Sequence, residues 1–539
     1  MAKRINIYFY CFFLLANGSI LFAQNEKCGT FRQVERNWKN KLSKIGRVLI
    51  TRPLLDTNIL TSNKKIRIHF DTSGTNQPAM VDLAGNRIPN SYQEFIDTLS
   101  SILDSVWKAE IEAFNFNVPP GDNGRGGGDE YDFYITHFYD GTFGVTNIED
   151  DLPIGPTKTN QQYASFIQID NDFGIGYRTK GVQALMATTA HEFHHAIQVG
   201  GSGVWEEKQF YFYELCAEAM ENTVFNDAKD YIHDVKTYFA NISSTPLFQQ
   251  SQGLSTAGYE RALWGMFLMK KYGTGIMKEI WDEMKTNRPI PALKNTLSLH
   301  LSTTEKEFSN FSLWNFYTNY RADSTKYFID AKLFPSVNFS ERVSLTNTEE
   351  VIQKISRSFV TNFIRVDHEL DTAFFIIANT NLADAESNIG QSFPFQLQAS
   401  PFPNADYLKI NNSIYAKFTV NDLQNWNYAL STDTTDVHKP LNFDFVSAFP
   451  NPFKPNGSNI FFILMDENST KQNKTELHIF SPTSDLVFSG ESQFANIFGK
   501  KFAVWNGKDN NGNIIPSGIY LYFLYGESKV IKGKFAVIR

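Results

Sequence analysis

Two histidines four residues apart constrain this chain more than any other feature. They are His191 and His195, in the run His191-Glu192-Phe193-His194-His195. On a helix this spacing sets both imidazoles on one face, about one turn apart. Both rings can then reach a single tetrahedral zinc, with Glu192 beside the metal as a general base. Glu214 follows His195 after eighteen intervening residues, inside the apolar stretch Phe210-Tyr211-Phe212-Tyr213-Glu214-Leu215-Cys216-Ala217. A carboxylate in such a setting must be paired or bound, because a bare buried charge is costly. Two histidines, a glutamate on a second helix and one open position describe a catalytic zinc site, not a closed structural one. The competing reading is an ordinary core helix whose histidines are satisfied by backbone or carboxylate partners. Glu214, Glu218 and Glu221 would then form an acidic helix face. Glu214 at this distance favours the metal. His194 points away from the ligand face and reads as a packing or supporting residue.

The ligand spacing resembles that of the gluzincin metallopeptidases, in which H-E-x-x-H is followed by a glutamate on the next helix. Leu215 stands where many of them carry glycine. A second resemblance covers more of the chain. It runs through Arg67 to Gly74, Asn86 to Tyr92, Gly126-Gly127-Gly128 with Tyr131 to Tyr134, and Tyr163 to Asp172 leading into the histidine helix. Together these segments are similar to a family of secreted bacterial metalloproteases that often end in a hook-cap-like immunoglobulin domain or a type IX sorting domain. The resemblance implies that His191, His195 and Glu214 bind Zn(2+) and that Glu192 is the base. It also implies an α+β chain with a zincin-like metallopeptidase domain over residues 24–335. Two all-β, immunoglobulin-like domains would follow, at 336–440 and 441–539.

Met1-Ala2-Lys3-Arg4 precedes an apolar run to Ala23. A basic start, an apolar stretch and a small residue read as a secretory signal peptide over residues 1–23, with a membrane anchor as the alternative. No later segment is apolar for long enough to span a bilayer, so no stable membrane span is expected after processing. The expected location is the cell surface or medium of a Gram-negative bacterium, reached through the periplasm. Three cysteines are too few for a disulfide framework. Cys28 and Cys216 are able to pair in an oxidising compartment, and Cys216 reads equally as a buried small hydrophobe. A net charge of −7 and a sequence pI near 5.9 argue against a nucleic-acid partner.

Periodicity organises the rest. Lys65 to Asp71, Tyr131 to Thr136 and Ser165 to Asp170 alternate as strands, and the last, just ahead of the histidine helix, is expected to border a cleft and pair with an extended peptide. Apolar residues at helical spacing mark Ser91 to Phe114, Lys180 to Val199, Glu206 to Phe225, Ala262 to Tyr272 and Ile276 to Lys285. Gly200-Gly201 is expected to stop the histidine helix. After Val337 the pattern changes to short strands separated by polar turns, hence a β-sandwich. A second all-β segment starts near Phe445. Its run Asp509 to Asn513 reads as a hairpin turn, with calcium binding as the rival. The segment resembles type IX sorting domains and also their purely structural relatives.

The expected chemistry is zinc-dependent hydrolysis of a protein or peptide substrate, with Glu192 moving the proton. Glu218, one turn after Glu214, is the candidate acceptor for the second N–H of a ligand histidine. Tyr231, His233 and Tyr259 are candidate oxyanion donors. The rival classes are an inactive zinc-binding adhesin and a carbohydrate-binding surface protein. Export would involve the type IX secretion machinery.

Overall fold

The computed structural model describes residues 27–32, 34, 50–149, 162–205, 209–249, 258–387, 389–421, 425–432, 448–449, 452–455, 460–463, 476–481, 485–497, 500–525 and 530–539. The expected signal peptide lies outside the described residues. The chain is α+β, and its internal contacts divide it into two units. The first comprises 1–207, 217–231 and 251–257; the second comprises 208–216, 232–250 and 258–539.

The first unit is built on five strands: β1 (Thr57–Leu60), β2 (Ile66–Phe70), β3 (Tyr131–Thr136), β4 (Gly144–Ile148) and β5 (Ser165–Asp170). Their order is β1-β2-β3-β5-β4. The β2–β3 and β3–β5 pairs are parallel, and the β1–β2 and β4–β5 pairs are antiparallel. The central strand β3 is buried at every position but its last, as befits a parallel strand covered on both faces. β5 is interior, so it is not the strand open to an extended peptide. The edges are β1 and β4, and β4, next to β5, has a Gly-Val-Thr-Asn-Ile sequence with too little alternation to be read as a strand.

Helix α1 (Tyr92–Trp107) packs on β2 and against α2 (Gly181–Gly201), which lies over β4 and β5. Phe95, Ile96, Leu99, Ile102, Leu103, Val106 and Trp107 form the buried stripe of α1. A π-helical turn, Lys108–Ala113, continues it. Helix α2 is buried along nearly its whole length, and Phe193 anchors its rear face. Its ring lies 5.7 Å from Tyr131 and 5.9 Å from Trp107, centroid to centroid. The helix ends at Gly201, at the expected glycine pair. Gly200 also permits close packing, since a Cβ on it would sit 2.5 Å from Cδ of Pro120.

Helix α3 (Phe210–Val224) is continuous across the division between the units. Glu214 and Glu218 are therefore successive turns of one element.

The second unit continues with helices α4 (Ile232–Ala240), α5 (Ala262–Tyr272), α6 (Gly275–Glu283), α7 (Pro289–Leu299) and α8 (Thr304–Phe316) around Trp264, Phe267 and Phe311. Two four-stranded sheets follow. One joins β7 (Glu350–Arg357), β10 (Ser392–Ser400), β11 (Leu408–Lys409) and β12 (Tyr415–Val420). The other joins β6 (Glu341–Ser344), β8 (Thr361–His368), β9 (Asp371–Asn379) and β13 (Trp426–Thr432). Ile352 and Leu397 from one sheet meet Ile364, Phe375 and Trp426 from the other in a shared core, which makes the pair a sandwich. A second pair of sheets contains β15 (Ile460–Ile463), β16 (Glu476–Phe480), β19 (Lys500–Trp505), β20 (Gly518–Tyr525) and β21 (Val530–Val537). Its core joins Phe462 and Trp505 to Tyr522 and Phe535. Asp509 forms a turn, with Oδ1 accepting the backbone N–H of Asn511 at 2.9 Å and of Asn513 at 2.8 Å.

Phe193→Ala is expected to destabilise the first unit by about 3–5 kcal/mol, the usual loss for a fully buried aromatic. The midpoint of chemical denaturation measures it. A loss under about 1 kcal/mol would mean that this face of α2 is not core.

Candidate metal centre

His191 and His195 occupy successive turns of α2, and their Nε2 atoms lie 3.0 Å apart. The proton positions follow from the opposite ring nitrogens. Nδ1 of His195 lies 2.7 Å from Oε1 of Gln198, an acceptor, and Nδ1 of His191 lies 2.8 Å from Oε1 of Glu221, to which it donates when that carboxylate is ionised. With both protons on Nδ1, both Nε2 atoms present lone pairs to the same point. Two lone pairs at that separation repel each other unless a cation stands between them. Two nitrogens on a tetrahedral zinc lie about 3.3 Å apart, given Zn–N bonds of about 2.0–2.1 Å. The observed pair needs to open by only a few tenths of an ångström.

Ligand atoms of His191, His195, Glu214 and Cys28 all lie within 4.8 Å of one another, and all four residues are buried. The three ligands expected from sequence therefore come together, and a fourth joins them. The position expected to be open faces the thiol of Cys28. No local pattern announces this, because Cys28 and His191 are far apart in sequence.

Glu192 is not part of that ligand group. Its carboxylate turns toward β4, where Oε2 accepts from the hydroxyl of Thr146 at 2.7 Å and from that of Thr30 at 3.1 Å. Gly144 makes room for it: a Cβ there would lie 2.7 Å from Cγ of Glu192. A carboxylate next to the ligands but not among them is free to carry a proton.

Acidic groups surround the histidines. The buried ammonium of Lys27 contacts Glu218 at 2.9 Å, Asp230 at 2.6 Å and also Glu221. Arg178 reaches Asp230 at 2.9 Å. Glu218 was the expected partner of a ligand histidine. The closer partner of His191 is Glu221, while Oε2 of Glu218 stands at 3.5 Å from the same nitrogen and binds Lys27. Three-residue spacing along α3 turns Glu221 to the face that Glu218 shares. Burial opposes the charge on Glu218, but Lys27 and the hydrogen bond from His191 bring its pKa down to about 2. Burial and the neighbouring Glu218 charge push Glu221 up to about 8. Among the described residues, Glu218, Glu221 and Asp230 share the ammonium of Lys27, and Asp230 also meets Arg178, while Glu192 and Glu214 are buried close by. A buried excess of carboxylate favours a dication. The donor set fits zinc in number, type and protonation.

His194 faces the other way. Its Nδ1 meets Oε2 of Glu110, on the π-helical turn, at 2.7 Å. Burial pushes Glu110 well above the usual carboxylate range and His194 well below the usual imidazole range, so the pair is held as a neutral hydrogen bond. Cys28 and Cys216 are both buried, and they are not joined by a disulfide. Of the candidate oxyanion donors, Tyr231 and Tyr259 are buried and His233 is exposed.

No protein-family model matches the chain, and no curated protein matches it. Among solved structures it is similar to PorZ, an essential bacterial surface component of the type IX secretion system of Porphyromonas gingivalis. Identity is 18% over 33% of this chain and 23% of that chain, with a TM-score of 0.14. The chain spans under a quarter of that protein, and a likeness this loose carries neither fold nor activity across. Among the described residues no helix is long and apolar enough to cross a membrane.

Glu221→Ala removes the acceptor that orients His191, and zinc affinity is expected to fall about 10–100-fold. Competition with a chelating dye measures this. Glu94→Ala, on the exposed face of α1, is expected to leave affinity within about threefold. Equal losses in both variants would mean that Glu221 has no special role in orienting a ligand.

Proposed function

We propose that this protein is a secreted zinc-dependent peptidase. One observation carries the reading: two imidazole Nε2 atoms converge beside Glu214, while Glu192 lies next to that group and outside it. His191, His195 and Glu214 hold the metal. A bound zinc supplies Lewis acidity at the scissile carbonyl and lowers the pKa of water toward about 7. Glu192 takes the proton of the attacking water at Oε1 or Oε2 and delivers it to the leaving amine. The hydroxyl of Thr146 keeps that carboxylate aligned. The edge strand β4 offers backbone groups on which an extended peptide substrate can pair.

A second reading has its own support. A set of four protein ligands, Cys28 included, has the form of a closed structural zinc site. It favours an inactive metal-binding surface protein, such as an adhesin or carbohydrate-binding protein, over an enzyme. A casein or peptide-library assay on the unaltered chain and on Cys28→Ser, with and without a chelator, separates the two.

His191→Ala and Glu214→Ala are each expected to abolish stoichiometric zinc by elemental analysis after desalting. Glu192→Gln is expected to retain zinc and to lose at least about a hundredfold in hydrolysis rate. Wild-type turnover in Glu192→Gln would assign the base elsewhere, and zinc retained by both ligand variants would sink the metal reading.

The address is also proposed, from the sequence: export through the periplasm by the type IX machinery to the cell surface or medium. The final β-segment has a core of its own, which supports its acting as a separable export signal. Deleting residues 441–539 is expected to leave peptidase activity intact and to trap the protein in the periplasm of a host with that system. A reporter carrying this segment behind a signal peptide is expected at the surface. Normal export of the deletion together with a periplasmic reporter would make the segment purely structural.

A further inference from the structure

Helix α2 and the edge strand β4 are covered by the short segment Lys27–Phe31, and every residue of that segment makes a specific contact. Lys27 is bound by Glu218, Glu221 and Asp230. Cys28 stands in the ligand group. The backbone N–H of Gly29 donates to the carbonyl of Gly144 at 3.0 Å, and that of Phe143 donates to the carbonyl of Lys27 at 3.0 Å. Cys28 thereby pairs with Gly144 in parallel, on the edge where a substrate backbone would lie. The fit is close: a Cβ on Gly29 would sit 2.5 Å from Cγ2 of Val145. The hydroxyl of Thr30 reaches the carboxylate of Glu192 at 3.1 Å. The ring of Phe31 lies edge-on to that of His195, 5.2 Å between centroids.

We propose that Cys28 is the fourth ligand of the metal, so that the folded site is closed as Cys-His-His-Glu and is latent until the segment leaves. The inference rests on the peptidase reading for its consequence, but not for its geometry. The thiolate is the form that binds zinc, and the thiol proton passes to solvent when it does. The backbone N–H of Thr30 points at the sulfur, at 3.4 Å, and stabilises negative charge there. The same segment thus occupies three things a substrate would need: the fourth coordination position, the edge of β4 and the carboxylate of Glu192. Lys27 fastens it. Latency follows from occupation alone and requires no rearrangement of α2.

Zinc K-edge X-ray absorption on the zinc-loaded full chain tests the ligation. One sulfur at about 2.3 Å from zinc is expected, alongside nitrogen and oxygen ligands. Cys28→Ser is expected to lose that sulfur while keeping about one zinc per chain, and Cys216→Ser is expected to keep it. In a peptide-hydrolysis assay, Cys28→Ser is expected to be at least about tenfold more active than the unaltered chain. Zinc with no sulfur neighbour in the unaltered chain overturns the proposal, as does a sulfur that persists in Cys28→Ser. Equal hydrolysis by the unaltered chain and Cys28→Ser overturns latency imposed by the thiol, the block that this variant lifts. The two readings fail differently. Sulfur ligation with no hydrolysis by either form leaves Cys28 as a ligand and removes the peptidase. Chelator-sensitive hydrolysis without sulfur ligation does the reverse.

Discussion

The buried ammonium of Lys27 ties this site together. It sits among Glu218, Glu221 and Asp230, almost wholly removed from solvent. An isolated charge so placed would cost several kcal/mol, and removing one partner of such a cluster typically costs about 3–5 kcal/mol. The arrangement therefore exists only as a set. It joins three parts of the chain: the N-terminal segment, helix α3 and the turn that carries Asp230. Through Glu221 it extends to Nδ1 of His191, and so to the direction in which Nε2 points. Burial alone would lower the pKa of Lys27, yet the three carboxylates raise it well above the usual range, so the group stays charged.

How much of this could be read in advance depends on the distance over which each feature is encoded. The histidine helix was readable because its ligands are four residues apart and its apolar positions repeat with the helical period. Its rear face, with Phe193 against Tyr131 and Trp107, follows from the same pattern. Strands Tyr131–Thr136 and Ser165–Asp170 were found with their limits. The sandwich was readable as short strands between polar turns, though not strand by strand. In β7 (Glu350–Arg357) the buried positions are Ile352 and Ser356 while Val351 and Ile355 are exposed, so apolar residues do not mark its buried face.

The missed features share one property, which is that they depend on partners remote in sequence. β4 is short, opens with glycine and has a threonine at its centre, so its strand character comes from pairing with β5. Cys28 looked like a spare thiol because nothing near it suggests a ligand. Glu218 and Glu221 both contact Lys27, and what tells them apart is their distance from Nδ1 of His191 on the facing helix. The glycine pair at the helix end was legible, but the contact of Gly200 with Pro120 was not. A sequence pattern states which residues share a face, not what that face meets.

The pair formed by His194 and Glu110 has a further consequence. Neighbouring residues on a helix are separated by about 100° of rotation, so a hydrogen bond at His194 pins the angular setting of His195. The imidazoles are thus held in place by the protein before any ion arrives, and the loss of side-chain freedom is incurred during folding instead of at metal capture. Such a cradle adapts poorly. Ions that demand six oxygens in an octahedron, as magnesium does, meet a rigid nitrogen pair that cannot spread to suit them. Discrimination among metals would then be a property of how the helix is bolted from behind, as much as of the atoms that touch the ion.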